Sequence, residues 1–481
     1  MGDARTIAPR SDDHAVGPLA TLRARTPPAW HLSVGACILT FAGHLLHGAN
    51  NNASSLAFAT LWLFFGGAAL LFSGRHTLPS PSALVILAGV CFAGVVATVA
   101  SQLLPTGSTD PHSLWRSIEG VSAFTIDLDA TSRELLKLLS MAAAFCVGLV
   151  VGASDRRTRL LVFLVVVASL VYAGWAFTQH FLAYGTILGV AKTYHIERLT
   201  GSFMSANSAA TALGMMAVIA AARIARAVKE SSAPWNLGAA AVVDQLARKA
   251  ALAMVALLLL VTCIVETLSR AGIAATASAL LALLAWEIGA ASERRTRMRT
   301  ATNAAMAVAG VVALLAIASA GGTIERLDAT IGDAGSRLTA LEAHWEAFLA
   351  SPQRGYGLGS FPVLNDYIQT PDNHRALEQL NALHNVYLQW LEETGIVGAG
   401  LMFACVALLL IHIWRGLSAR ARMRTWLRAV LVVSLLVLLH GLVDFGLQVP
   451  SIAWQWALWL GVGCGIASPR PQESESSSSE D

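Results

Sequence analysis

Apolar stretches of about 20 residues, the length that crosses a hydrocarbon core as a helix, recur along the whole chain. Twelve are found, near residues 29–47, 54–73, 83–103, 135–153, 160–181, 205–222, 250–268, 271–290, 301–319, 395–414, 429–447 and 452–467. Polar segments punctuate them. The pattern predicts an all-α polytopic membrane protein with about twelve transmembrane helices. About 28 largely polar residues precede the first stretch, so no cleavable signal peptide is expected.

The polar segments are unequal. Residues 104–134 and 182–204 form moderate loops, and 320–394 form one large loop with helical stretches of its own. The expected organisation is an N-terminal cytoplasmic segment (1–28), helices one to nine (29–319), the large loop (320–394), helices ten to twelve (395–467) and a polar tail (468–481). That tail is low-complexity and is expected to be disordered.

Composition agrees with the pattern. Of 481 residues, 55% are hydrophobic and 13% charged, with net charge +3 and mean hydropathy +0.59. A soluble protein carries about 25% charged residues, so a soluble enzyme and a disordered scaffold are excluded. The net charge is too small to suggest nucleic-acid binding. Charge distribution is more informative. With the N-terminus inside, 23 of the 33 Lys and Arg residues fall on inner segments, as cytoplasmic loops retain them. This predicts N-in/C-in topology with the large loop outside. All six cysteines fall in expected spans, so no disulfide framework is implied. No internal repeat is visible, which weakens a transporter reading.

Topology explains the inner cations but not the outer ones. Arg198 precedes the sixth span in a segment containing Gly201, Ser202, Ser205 and Asn207. It is either an ordinary loop residue, with Ser205 or Asn207 as a helix cap, or part of an anion site at a helix N-terminus. Arg270 sits in the tight turn between spans seven and eight, at the membrane boundary. A charge there suggests function, but Glu266 four residues earlier could pair with it along a helix.

The segment from Asp333 to Leu349 has helical periodicity in Leu338, Leu341, Trp345, Phe348 and Leu349. With Asp333 or Ser336 as its cap, Arg337 falls in the first turn and could hold an anion there, or pair with Asp333. Arg354 precedes Gly355, Gly357 and Gly359, a turn with exposed backbone that offers a weak phosphate-binding signal. From Leu377 to Gly395 the chain looks helical and carries His384 and Asn385 with Asn381 and Glu392 nearby. His384 suits general acid–base work, although a lone histidine is commonly structural. Asp127-Leu-Asp129 could bind a metal, but Thr131 and Glu134 read as a capping box opening span four. Asp444, near the outer end of span eleven, could bind an arginine or act on substrate.

Taken in order, these pieces resemble the O-antigen ligase/Wzy polymerase superfamily of bacterial membrane glycosyltransferases over roughly residues 120–465. The matching segments are Ile126–Thr131, Arg198–Phe203 with Asn207, Leu268–Gly272, Asp333 with Arg337 and Trp345, Pro352–Phe361, His384–Gln389 with Glu393–Gly395, and His440–Gln448. Two departures are visible. Ser205-Ala-Asn207 stands where the family often has Asn-Pro-Asn, and Val386 where an Asp often follows His-Asn.

The resemblance implies transfer of a glycan from an undecaprenyl-pyrophosphate carrier to an acceptor hydroxyl at the outer face of the inner membrane. The chemistry is inverting and uses neither metal nor cofactor. Catalytic roles would fall to His384, Arg270 and Arg198, and substrate-binding roles to Arg337, Arg354, Asn385, Asn207 and Asp444. Implied partners are the lipid-linked donor, a glycan or lipid A–core acceptor, the bilayer, a flippase and a chain-length regulator. A protein O-oligosaccharyltransferase of the same superfamily and a lipid-linked glycan transporter are the alternatives.

Overall fold

A computed structural model describes residues 30–73, 79–80, 82–105, 123–230, 239–289, 323–378 and 380–469, with side chains from 248 and 335 onward in two of these segments. The expected span at 301–319 lies outside the described residues.

The helices in chain order are α1 (Trp30–Leu45), α2 (Asn52–Phe72), α3 (Ala83–Gln102), α4 (Leu128–Gly152), α5 (Asp155–Leu182), α6 (Ala206–Glu230), α7 (Ala239–Glu266) and α8 (Arg270–Gly289). They continue as α9 (Thr323–Ala350), α10 (Phe361–Tyr367), α11 (His374–Leu377), α12 (Val386–Ala419), α13 (Arg424–His440) and α14 (Pro450–Ala467). A two-residue antiparallel pair, Thr186–Ile187 with Val190–Ala191, tightens the loop between α5 and α6. Among the described residues nine helices are long and apolar enough to cross a membrane. The chain is an all-α polytopic membrane protein.

Helix starts follow short polar caps. Asn51, Ser82, Asp127, Ser154 and Asn385 each accept a backbone N–H of the first turn, removing one of the orphan donors that every helix start leaves. Asp127 therefore opens α4, and Thr131, expected as the cap, lies inside the helix bonded to Thr125 at 2.7 Å. No group of three or more His, Cys, Asp or Glu residues that could hold a metal is found among the described residues.

The most apolar helices are not the most buried. In α14 all 18 residues are buried, three Trp residues, Gln455 and three glycines among them. Gly148 and Gly152 of α4 pack directly on the backbone of Leu458 and Val462 in α14. Gly461 and Gly465 meet α4 in the same way at Phe145 and Leu149. Small residues four apart let two backbones approach where lipid gives no hydrophobic drive for association. Helices α2, α3 and α12 instead turn long apolar faces outward, with Phe64, Leu71, Val90 and Ile396 exposed, as lipid contact requires.

At the end of the bundle carrying the Arg-rich turns, Glu287 of α8 binds both Arg428 of α13, at 2.9 Å, and Lys229 of α6. Buried charges are tolerated when paired in this way.

Two expectations about the large loop change. Helix α9 is already helical at Thr323, the first described residue of its segment, so Asp333 and Ser336 do not cap it and Arg337 lies mid-helix. The periodic segment extends further toward the N-terminus than its apolar residues indicated. The helix expected from Leu377 begins instead at Val386, because the Asn385 side chain accepts from Leu388 N at 2.9 Å. Inside α12, Gly395 has φ +63° and ψ −177°. A Cβ there would strike the backbone of Gln353 and Arg354, so the loop turn nests against a kink that only glycine permits.

Candidate functional site

At the end of the bundle reached by the loop, a cavity of about 1050 Å³ opens. Four widely separated segments supply its charged wall: Arg198 before α6, Arg270 at the start of α8, Arg337 on α9 and His384 before α12. Local sequence explains each placement. Ser205 caps α6, its Oγ accepting Asn207 N at 3.2 Å. Ser269 caps α8, its Oγ accepting Gly272 N at 3.2 Å. Ser205, Ser269 and Arg270 all line the cavity, so two helix N-termini and three guanidinium groups converge on one space. Helix N-termini carry about half a positive charge each, and arginine pairs bidentately with phosphate oxygens. The wall suits a polyanion, and above all a diphosphate.

Because α7 ends at Glu266 and α8 begins at Arg270, the two residues are not four apart on one helix, as the sequence allowed. Glu266 instead lies 4.0 Å from His180 Nε2. Leu268, at φ +52°, marks the sharp turn between the helices. Such strain is kept where neighbouring structure holds it.

His384 is a quarter exposed and faces a fully buried carboxylate. Its Nδ1 stands 3.4 Å from Asp444 Oδ1. The same oxygen accepts from Asn207 Nδ2 at 3.0 Å. Phe445 packs against the imidazole at a centroid distance of 5.2 Å. Nδ1 makes no hydrogen bond among the described residues, so the contact is one of charge: a carboxylate this close favours the proton on Nδ1, which leaves Nε2 as a proton acceptor, and stabilises the imidazolium that forms. Asp444, left open between two roles by the sequence, is therefore a partner for histidine, and Asn207 is a partner for Asp444. Nearby, His440 Nδ1 bonds Thr211 Oγ1 at 2.7 Å, which ties α13 to α6 beneath the pair.

Not every candidate reaches the cavity. Arg354 stacks over Phe124 at 5.3 Å and does not line it. The glycines after Arg354 are a packing device. Gly357 has φ +114°, and a Cβ there would collide with Thr125. Both ends of the Asn385 side chain are committed, Oδ1 to Leu388 N and Nδ2 to Leu442 O at 3.2 Å. Its role in the structure is to start α12 and hold the end of α13.

Sequence inspection missed His47 and Asn50, which line the cavity from the turn between α1 and α2. The Leu-His-Gly-Ala-Asn-Asn run was a legible hint, since His47, Gly48 and Ala49 all adopt positive φ. It also missed His195, which joins the cavity beside Arg198. Burial, then the Arg198 charge, hold His195 below the usual histidine range.

A second cavity of about 610 Å³ meets the first at Asn50, Asn381 and Gln448. Its wall is mainly apolar, with Leu138, Met141, Trp390, Phe403, Val406 and Trp456 from α4, α12 and α14. Arg133, Glu134 and Lys137 stand at its polar end. Lys137 bonds the Gln448 carbonyl at 3.1 Å and pairs with Glu134 at 2.5 Å.

Residues 255–403 match the family model described as O-antigen ligase. The match begins within α7 and ends in α12, and it takes in Arg270, Arg337 and His384. Arg198, Asn207 and Asp444 lie outside it. No curated protein matches the chain.

Proposed function

We propose that this chain, whose O-antigen ligase domain supports its place in the O-antigen ligase/Wzy polymerase superfamily, is a membrane glycosyltransferase of surface polysaccharide biosynthesis. It moves a glycan from undecaprenyl pyrophosphate to an acceptor hydroxyl. One observation carries this reading: a carboxylate-backed histidine and three arginines from separate segments share one cavity.

Each group has a distinct task. Arg198, Arg270 and Arg337, with the first turns of α6 and α8, hold the pyrophosphate and take up the charge that grows on it as the anomeric C–O bond breaks. His384 Nε2 accepts the proton of the acceptor hydroxyl. The acceptor oxygen bonds the anomeric carbon as undecaprenyl pyrophosphate departs with the bonding electrons. A single in-line displacement inverts that carbon. Asp444 orients His384 and stabilises its protonated form, and Asn207 holds Asp444. In this reading the arginines and the two helix N-termini supply the positive charge, and no metal is required for the transfer.

The second cavity favours an acceptor that is itself borne on a lipid, either another lipid-linked repeat or lipid A–core, over a protein Ser or Thr. Its mainly apolar wall suits a lipid chain and meets the first cavity at Asn50, Asn381 and Gln448. The site then faces the periplasm, where a flippase delivers the donor and a chain-length regulator acts if the product is a polymer.

The test is a strain lacking the protein, complemented with the wild type, His384→Ala or Arg270→Ala. Unjoined lipid-linked glycan should build up on the outer face in both variants. Accumulation on the inner face would replace this reading with export. Purified protein given a polyprenyl-pyrophosphate glycan and a lipid-borne acceptor should turn over undiminished in EDTA and give a product of inverted anomeric configuration.

A further inference from the structure

The helix that carries Arg337 is fastened to the bundle by a buried polar cluster that the transfer chemistry does not use. His344 follows Arg337 by seven residues, two helical turns, and so lies on the same face of α9. Its side chain is fully buried. Nδ1 lies 2.6 Å from Glu392 Oε1 in α12, and Nε2 lies 3.2 Å from Asn365 Oδ1 in α10. Phe361 stacks on the ring at 4.6 Å.

The protons of this cluster are determined by its neighbours. Asn365 Nδ2 donates to the carbonyls of Leu377 and Leu380, at 2.9 and 3.2 Å. The amide oxygen must therefore face His344, and Nε2 must be the donor. One further proton lies between Nδ1 and the Glu392 carboxyl. The pair carries no net charge whichever atom holds that proton, which makes its complete burial tolerable.

The cluster also connects the two halves of the site. Leu377 and Leu380, held by Asn365, begin the segment that delivers His384. Gln389 of α12 extends the hold, its Oε1 accepting Leu383 N at 2.9 Å. Arg337 and His384 meet again across a smaller cavity of about 200 Å³ between α9 and this segment. One histidine thus bonds the helix bearing the phosphate ligand to both elements that place the base.

We propose that His344 is a positioning residue, which through Glu392 and Asn365 sets Arg337 against His384 and so fixes the donor pyrophosphate relative to the base. The proposal rests on the reading of Arg337 as a pyrophosphate ligand.

The experiment is a double-mutant cycle in steady-state transfer with a polyprenyl-pyrophosphate glycan. Arg337→Ala alone tests the underlying reading, since unchanged donor KM and kcat together would remove Arg337 from the pyrophosphate site. His344→Ala should raise donor KM by about tenfold or more with kcat changed by less than about threefold. Added to Arg337→Ala, it should cost nothing further, because its effect passes through that side chain. Full additivity, or a fall in kcat alone, overturns the proposal.

Should His344→Ala fail to fold, Glu392 carries the test. In Glu392→Gln the amide can donate to Nδ1 of a neutral His344 while Nε2 still donates to Asn365, so donor KM should stay within about threefold of wild type. Glu392→Ala should behave as His344→Ala. Equal loss in the Gln and Ala variants overturns the proposal.

Discussion

Replacing Asp444 by Asn isolates the charge of the carboxylate from its shape. Oδ1 contacts both His384 Nδ1, at 3.4 Å, and Asn207 Nδ2, at 3.0 Å. An asparagine that keeps its oxygen in that place keeps both contacts. Its amide nitrogen takes the place of Oδ2, which has no hydrogen-bond partner among the described residues. What disappears is the negative charge facing the imidazolium formed during proton transfer. At 3.4 Å and an effective dielectric of about 20, that attraction amounts to about 5 kcal/mol. Solvent reaches the quarter-exposed His384 and reduces the loss to about 2–4 kcal/mol. The expected fall in kcat is about 30- to 1,000-fold, with donor KM nearly unchanged, since the arginines are untouched. The assay is transfer by purified protein in nanodiscs, with thermal unfolding recorded on the same samples. If Asp444→Asn kept half of wild-type kcat with the fold intact, the carboxylate would have no part in the base, and the assignment of His384 would lose its main support.

Arg198→Ala, Arg270→Ala and Arg337→Ala should each reduce kcat/KM by about 10- to 1,000-fold, and lysine should restore only part of it because the bidentate fork is lost; steady-state rates decide. Arg354→Ala, outside the cavity, should leave transfer within about twofold of wild type, and a larger loss would draw the site toward the glycine turn. Gly357→Ala should destabilise the protein by about 2–3 kcal/mol through strain at φ +114° and collision with Thr125, seen as a lower unfolding midpoint with intact membrane insertion. His195 is held below its usual pKa by burial, then by Arg198, so its neutral form is favoured in the fold. Its contribution to stability is present above the unfolded value of about 6.5 and falls as pH drops through the window between the unfolded and folded pKa values. His195→Gln should remove that part of the slope, and identical acid-side melting curves would show that it contributes nothing.

Much of the architecture was legible along the chain because a bilayer imposes simple rules. A span needs about 20 apolar residues, and basic residues stay on the cytoplasmic side. The helices α1, α2, α3, α8 and α14 follow the apolar stretches closely, since each must satisfy its own backbone within hydrocarbon. Boundaries failed where polar or tertiary partners took over. Helix α4 starts at Asp127 because that carboxylate binds Ala130 N. Helix α9 runs on to Thr323 beyond its apolar stripe. Helix α14 is buried along its whole length, so packing replaces lipid solubility as its requirement.

The candidate site divides in the same way. Cations and a histidine at the loop ends of spans are costly and few, so Arg198, Arg270, Arg337 and His384 could be singled out one by one. Their convergence could not, because Arg198 and His384 are remote in sequence and only the packing of α6, α8 and α13 brings their segments together. Arg354 passed the same sequence filter and lies elsewhere, over Phe124. Asp444 could have served any cation until the turn after α13 set it beside His384, and His344 gave no sequence signal apart from its place on a helix face. The sequence by itself determined a membrane-embedded helical chain and the residues able to do chemistry, since both follow from local hydropathy and charge. Only the tertiary structure decided which of them meet, since a catalytic constellation depends on distances between segments that local pattern does not encode.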